Sequence, residues 1–125
     1  MPTRCPCLSG LTYDECCGPL HRGERAASTA EQLMRSRYSA YAVRDADYVR
    51  RTWHPSGRPR ALDLDDGTRW YRLDVLGSTA GGPEDTHGTV EFRAFYRSVD
   101  GAGSLHEVSR FVRDRGAWVY LDALG

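Results

Sequence analysis

An α+β fold with a cysteine-rich appendage at its front is what this sequence predicts. Three observations carry that expectation. Apolar residues recur at three- and four-residue steps between positions 28 and 53. From position 69 onward the period is two. All four cysteines fall between positions 5 and 17, in the pattern C-x-C-x8-C-C. Helices first and an antiparallel meander after is the order of an α+β domain.

The cysteine stretch is too short to bury a core, so something other than apolar burial must fix it. Thiolates are soft ligands, and four of them around one ion make a closed tetrahedral site of the structural kind. We therefore expect Cys5, Cys7, Cys16 and Cys17 to hold one structural zinc ion per chain. Metal binding of this sort is worth roughly 10–16 kcal/mol at neutral pH, enough to offset the ordering entropy. Disulfides are the alternative, with three possible pairings, of which the one that joins Cys16 to Cys17 and Cys5 to Cys7 makes strained small rings. The sequence opens on Met1 with no apolar secretion segment, which gives the expectation of a reducing cytoplasm.

Pro19 to Ala27 reads as a linker, with His21 a solvated histidine or, alternatively, a replacement metal ligand. Ser28-Thr-Ala-Glu31 reads as a capping box. Leu33, Met34, Tyr38, Tyr41 and Ala42 form the stripe of the helix it opens, and Arg35, Ser39 and Arg44 fall away from it. Asp45-Ala-Asp47 ends that helix and caps a second, with Tyr48, Val49, Thr52 and Trp53 on one side. Pro55 stops it by disfavouring helical geometry at His54. Residues 58–67 connect to the sheet, with Leu62 and Leu64 tucked onto the domain. Tyr71, Leu73 and Val75 alternate with Arg72 and Asp74 in a first strand. Gly77 to Asp85 reads as a glycine-rich loop. Val90, Phe92, Ala94 and Tyr96 mark a second strand, Asp100 to Gly103 a hairpin turn, Leu105 to Arg113 a third strand and Ala117 to Asp122 a fourth.

Composition narrows the function. At 125 residues the chain suits one domain plus the appendage. No apolar run reaches membrane-spanning length. The 17 basic residues are all arginine, so Schiff-base chemistry on lysine is excluded. Residues 1–60 carry ten arginines against six acids and the remainder seven against eleven. A tetrathiolate zinc would reduce the front-half excess, and Arg4, Arg22 and Arg25 are placed to neutralise it. This asymmetry is too modest for the sustained basic face of a nucleic-acid binder. There is no phosphate-binding glycine loop, no dinucleotide fingerprint and no nucleophile elbow.

What is left as a candidate pocket is Tyr38, Tyr41, Trp53, His54, Glu91, Glu107 and Arg110. His106 and Glu107 are strand neighbours and face opposite ways, so they cannot form a dyad. Glu107 shares a side with Phe111, which suggests a carboxylate facing an apolar interior, where it could act as a general base. The alternative is a structural pair with a buried arginine such as Arg37.

C-P-C-x-S-G-x-x-Y-x-x-C-C-G resembles the SEC-C motif, the zinc knuckle at the carboxyl end of the SecA translocation ATPase. Arg35 to Tyr41, Thr52 to Pro55, Val90 to Tyr96 and Leu105 to Phe111 together resemble the YchJ-like family of small bacterial proteins. The resemblance implies a SEC-C knuckle over 1–25 and, over 26–125, a cone like nuclear transport factor two, with helices on a curved antiparallel sheet. It brings no biochemical activity with it. The motif usually has glycine where this chain has Leu8, and lysines where it has Leu11 and Thr12, which weakens the basic surface by which such knuckles meet partners. The leading expectation is a zinc-binding module whose cone takes a protein partner or a small molecule, and the alternative is a small cone enzyme of the isomerase, dehydratase or hydrolase type. Cones of this kind often pair through the outer sheet face, so a homodimer is a further expectation.

Overall fold

The computed structural model describes residues 3–64 and 66–124. A 3-10 turn over Tyr13–Glu15 leads into α1 (Cys17–His21), α2 (Ala30–Val43) and α3 (Ala46–Arg51). Then come β1 (Arg69–Ala80), β2 (His87–Ser98), β3 (Gly101–Asp114) and β4 (Ala117–Ala123). The strands form one antiparallel meander in the order β1-β2-β3-β4.

α2 starts one residue later than the capping-box reading placed it. Thr29 is the cap, its hydroxyl accepting from the Gln32 amide at 3.0 Å. Gln32 answers by accepting from the Ser28 amide at 2.7 Å. Glu31, the residue expected to close the box, pairs instead with Arg35 one turn on. The logic is the reciprocal one expected, shifted by one residue because glutamine serves as well as glutamate. Arg44 ends α2 in the left-handed region at φ 62°. Asp45 caps α3, accepting from the Tyr48 amide at 3.1 Å. Ser39, assigned to the outside of α2, is fully buried, and so are Ser36 and Arg37 at 0% and 6% exposure. α2 is covered on more than one side, by the sheet and by the cysteine segment.

Two irregularities correct the reading of β1. A register shift between Trp70 and Arg72 moves Trp70 to the core side. Tyr71 is left 47% exposed on the outside. A second shift follows Val75, and the strand continues through Gly77 to Ala80 where a loop was expected. Pairing with β2 explains this, since Thr79 sits opposite Thr89 with their hydroxyls 2.5 Å apart. At the end of that ladder Gly81 and Gly88 pass in near contact. A Cβ on Gly88 would lie 2.5 Å from the Gly81 Cα, and one on Gly81 would lie 2.7 Å from the Ala30 Cβ. The Gly81 carbonyl accepts from the Ala30 amide at 2.9 Å, tying the start of α2 to the sheet.

Two apolar clusters fill the interior. Leu33, Met34 and Tyr38 of α2 pack on Leu73, Val90, Ala94, Phe111 and Trp118, and Cys5, Cys7 and Cys17 belong to this same cluster. Leu20, Ala40, Tyr48 and Val49 form the second, against which Leu62 and Leu64 tuck. The cysteine segment and the sheet domain therefore share one core across position 25, because the inner cysteines have no other apolar surface on which to lie.

Candidate functional site

Residues 4–12 double back on themselves. Arg4 bridges Thr12, and the Cys5 amide donates to the Leu11 carbonyl at 2.9 Å. Thr12 and Glu15 then form a capping box at the 3-10 turn, which carries the chain to Cys16 and Cys17. All four thiols are free, and their sulfurs lie within 4.8 Å of one another. Cys7 and Cys16 are 3.6 Å apart and Cys16 and Cys17 3.8 Å. Four sulfurs at the corners of a tetrahedron, each about 2.3 Å from a central ion, would stand about 3.8 Å apart. A disulfide needs about 2.05 Å. The geometry fits a closed metal site and not a disulfide knot.

Leu8 stands in the left-handed region at φ 63° with its side chain 55% exposed. The turn therefore has the backbone that favours glycine, and leucine carries a strain of roughly 1–2 kcal/mol there. Around the sulfurs, the Ser9 hydroxyl donates to Cys16 at 3.2 Å and the Ser39 hydroxyl lies 3.4 Å from Cys5. Arg35 donates to the Cys7 carbonyl at 2.8 Å and Arg25 to the Cys16 carbonyl at 3.3 Å. Arg22 pairs with Asp14 and Glu24 instead of facing the cluster. Crowding governs the protons. The Cys17 contact holds Cys5 well below the ordinary thiol range, the same contact pushes Cys17 far up, and burial raises Cys16. Sulfurs this close cannot all ionise unaided, and a divalent cation among them is what would allow it.

His21 is neither solvated nor a ligand. It is buried, with Nε2 2.8 Å from the Ser36 carbonyl and Nδ1 2.6 Å from the Tyr13 hydroxyl. A carbonyl only accepts, so Nε2 carries the proton and Nδ1 accepts from tyrosine. The ring also lies 4.6 Å from that of Tyr48. Burial lowers its pKa and keeps it neutral. The histidine clasps the cysteine segment to α2.

The cone holds a cavity of about 260 Å³. Aromatic walls come from Tyr41, Trp53, Trp70, Phe92, Phe111 and Tyr120, with Tyr38 and Met34 of α2 beside them. Leu105, also in the wall, is 43% exposed and marks the opening. Arg37, Glu107 and Ser109 supply the polar groups. Nη1 of Arg37 donates to the Val49 carbonyl and the Thr52 hydroxyl, both at 2.8 Å. Its guanidinium carbon lies 4.8 Å over the Tyr120 ring and 5.2 Å from the centre of Trp53. Among the described residues no carboxylate pairs with it. Burial lowers its pKa, though an arginine stays charged. One Glu107 oxygen accepts from the Ser109 hydroxyl, and the Tyr120 hydroxyl donates to the same oxygen at 3.4 Å. Burial and then the Glu107 charge push Tyr120 up to about 12.

Tyr38, Tyr41, Trp53 and Glu107 thus meet in the cavity. His54, Glu91 and Arg110 do not, and their assignment to the pocket is corrected. The helix end turns the His54 ring onto Ser56, 2.8 Å away. Strand alternation puts Glu91 on the outer face, 2.7 Å from His106. Arg110 is outside as well, donating to Asp122 at 2.6 Å. Arg37, Trp70, Ser109 and Tyr120 were not among the candidates. Arg37 had a visible signal, an arginine three residues after Met34 and four before Tyr41 on an apolar stripe. Burial pushes Tyr38 up to about 12, with Cys7 adding to the rise. Among the described residues its buried hydroxyl has no hydrogen-bond partner.

Known proteins match over both parts. The family model for YchJ, middle NTF2-like domain, covers residues 29–123, and the SEC-C motif covers 1–19. A UPF0225 protein of Streptomyces coelicolor is 55% identical over 123 residues, spanning 98% of this chain and 96% of its own. One from Deinococcus radiodurans is 53% identical over 120 residues, at 95% and 87% coverage. The solution structure of a SEC-C motif containing protein from Rhodopseudomonas palustris is similar at a TM-score of 0.83 and 41% identity, covering 97% of each chain. A crystal structure from Psychrobacter arcticus, also of a SEC-C motif containing protein, gives 0.77 and 32%, covering 94% of this chain and 80% of that one. With four clustered cysteines that could hold a metal packed into the core of the domain, these matches show that the chain belongs to the YchJ-like family and carries its SEC-C motif.

Proposed function

We propose that this is a cytoplasmic small-molecule-binding protein in which a structural zinc ion braces the cone. The observation that carries the reading is the cavity: it is aromatic-walled, open beside Leu105 and furnished with Arg37 and Glu107. A mostly apolar hollow with a few converging polar groups is the form of a ligand site, whereas a protein-docking cone would be filled and would offer an exposed apolar patch. Zinc is favoured over other ions by the all-sulfur, closed donor set, which leaves no open coordination position for chemistry. Four unpaired thiols suit a reducing compartment. A catalytic reading has one observation in its favour, Glu107 in the cavity wall.

The test has two arms. Protein purified without chelator should contain close to one zinc per chain by mass spectrometry of the native protein. A fragment screen by NMR on that protein should then shift the Trp53 and Trp70 indole signals. Zinc well below one per chain would remove the brace. Fragments that move only outer-face residues such as Tyr71 and Phe95 would remove the pocket.

A further inference from the structure

The polar groups in the cavity restrict what can enter, and this inference rests on the ligand-binding reading above. Arg37 is 6% exposed and is held from behind by Val49 and Thr52 through Nη1 alone. Among the described residues Nε and Nη2 make no hydrogen bond, yet neither is an orphan sealed away from all space, since the one such atom is the Tyr38 hydroxyl. Arg37 lines the hollow, so the free edge of a fixed, charged fork is available to what enters it. A guanidinium edge with two adjacent N–H groups matches a carboxylate bidentately. A phosphate would fit the fork too, but it would bring a second negative charge to a site whose described lining holds one cation, Arg37, and Glu107 in the same wall. A monoanion suits that balance.

Glu107 adds a second restriction. Its Oε2 is taken by Ser109 and Tyr120. Its Oε1 has no partner among the described residues, and a carboxylate oxygen can only accept. It calls for a donor on the ligand. Size gives the third restriction. An apolar cavity of about 150 Å³ holds a benzene ring, so one of about 260 Å³ holds a body of roughly ten non-hydrogen atoms. The ring-lined walls favour a flat one. We propose that the cone takes a small planar carboxylate of roughly this size, its carboxylate on Arg37 and a hydroxyl or amino donor directed at Glu107.

The probes are 4-hydroxybenzoate, benzoate and 4-hydroxybenzamide, titrated into the zinc-loaded full chain by calorimetry and followed by the tryptophan indole signals. 4-Hydroxybenzoate should bind at least roughly tenfold tighter than its neutral amide, the lower end for a charge-assisted hydrogen bond. It should also bind more tightly than benzoate, and Glu107→Gln should shrink that second difference. Arg37→Gln should abolish the first. Because Arg37 is buried and its variant could fail to fold, the carboxylate-against-amide comparison on the unaltered protein decides by itself. If amide and carboxylate bind equally and both move the indoles, the ligand class is wrong and the pocket reading stands. If none of the three moves them, both readings fall.

Discussion

The histidine clasp should carry a measurable share of the protein's stability. His21→Ala removes a hydrogen bond to the Ser36 carbonyl and another to the Tyr13 hydroxyl, together worth about 2 kcal/mol net. It also removes ring contacts with Tyr48 and Tyr13, about 0.5–1.5 kcal/mol each, and leaves a hole. The total is about 3–5 kcal/mol, a large share of the roughly 5–15 kcal/mol that holds a domain together. In melting temperature this is a drop of about 10–20 °C for a chain of this size. Urea unfolding of the zinc-saturated protein, followed by tryptophan fluorescence, measures it. A loss below about 1 kcal/mol at unchanged denaturant slope would refute the clasp. The same residue sets a pH signature. Burial lowers its folded pKa beneath the unfolded value of 6.5, so below that pH the unfolded chain takes up a proton that the folded one refuses. Stability is then lost as pH falls through about 6.5, by at most about 1.4 kcal/mol per pH unit. Thiolate protonation adds its own acid sensitivity, but His21→Gln shares it, so the difference between the two curves isolates the histidine. Parallel curves would show that His21 does not titrate as argued.

Three more outcomes follow from single contacts. Tyr38→Phe deletes a buried hydroxyl that lacks a partner and should stabilise the protein by about 1 kcal/mol in the same urea assay, with no change in fold by NMR. Gly88→Ala sets a methyl group against the Gly81 backbone and should cost about 2 kcal/mol or more and weaken amide protection around Ala30, since backbone cannot move aside as a side chain tip can. Cys17→Ser should drop bound zinc well below one per chain and lower the melting temperature by more than any of these, because metal binding to such a site is worth about 10 kcal/mol or more.

Much of this was legible in the sequence because it rests on local periodicity. The alternation Val90-Phe92-Ala94-Tyr96 involves neighbours in the chain. So does the cysteine spacing, which singles out the four sulfurs. By contrast, α3 ends at Arg51, short of the stop expected at Pro55, because Thr52, Trp53 and His54 pair with Tyr120. What was missed depends on partners far away. Gly77 to Ala80 has loop composition, and only pairing with β2 makes it strand. The slip at Trp70 exchanges the facing of two aromatic residues, and no alternation rule detects a bulge. Arg37 is expected from the sequence only as a buried structural partner for Glu107, and its place in the cavity wall depends on Val49, Thr52, Trp53 and Tyr120 at once. Glu91 and Arg110 were grouped with Glu107 by chemistry, although their positions on β2 and β3 send them to the opposite side of the sheet.

α2 presents Arg35 and Ser39 to the sulfur cluster and Arg37, Tyr38 and Tyr41 to the hollow, all within two turns of one rod. A rod that short cannot settle at one end and stay indifferent at the other. Starved of its ion, the chain would lose a footing for this helix and, with it, the spacing between guanidinium and aromatic walls, so that capacity to hold a guest would track metal supply even though no guest ever touches the metal.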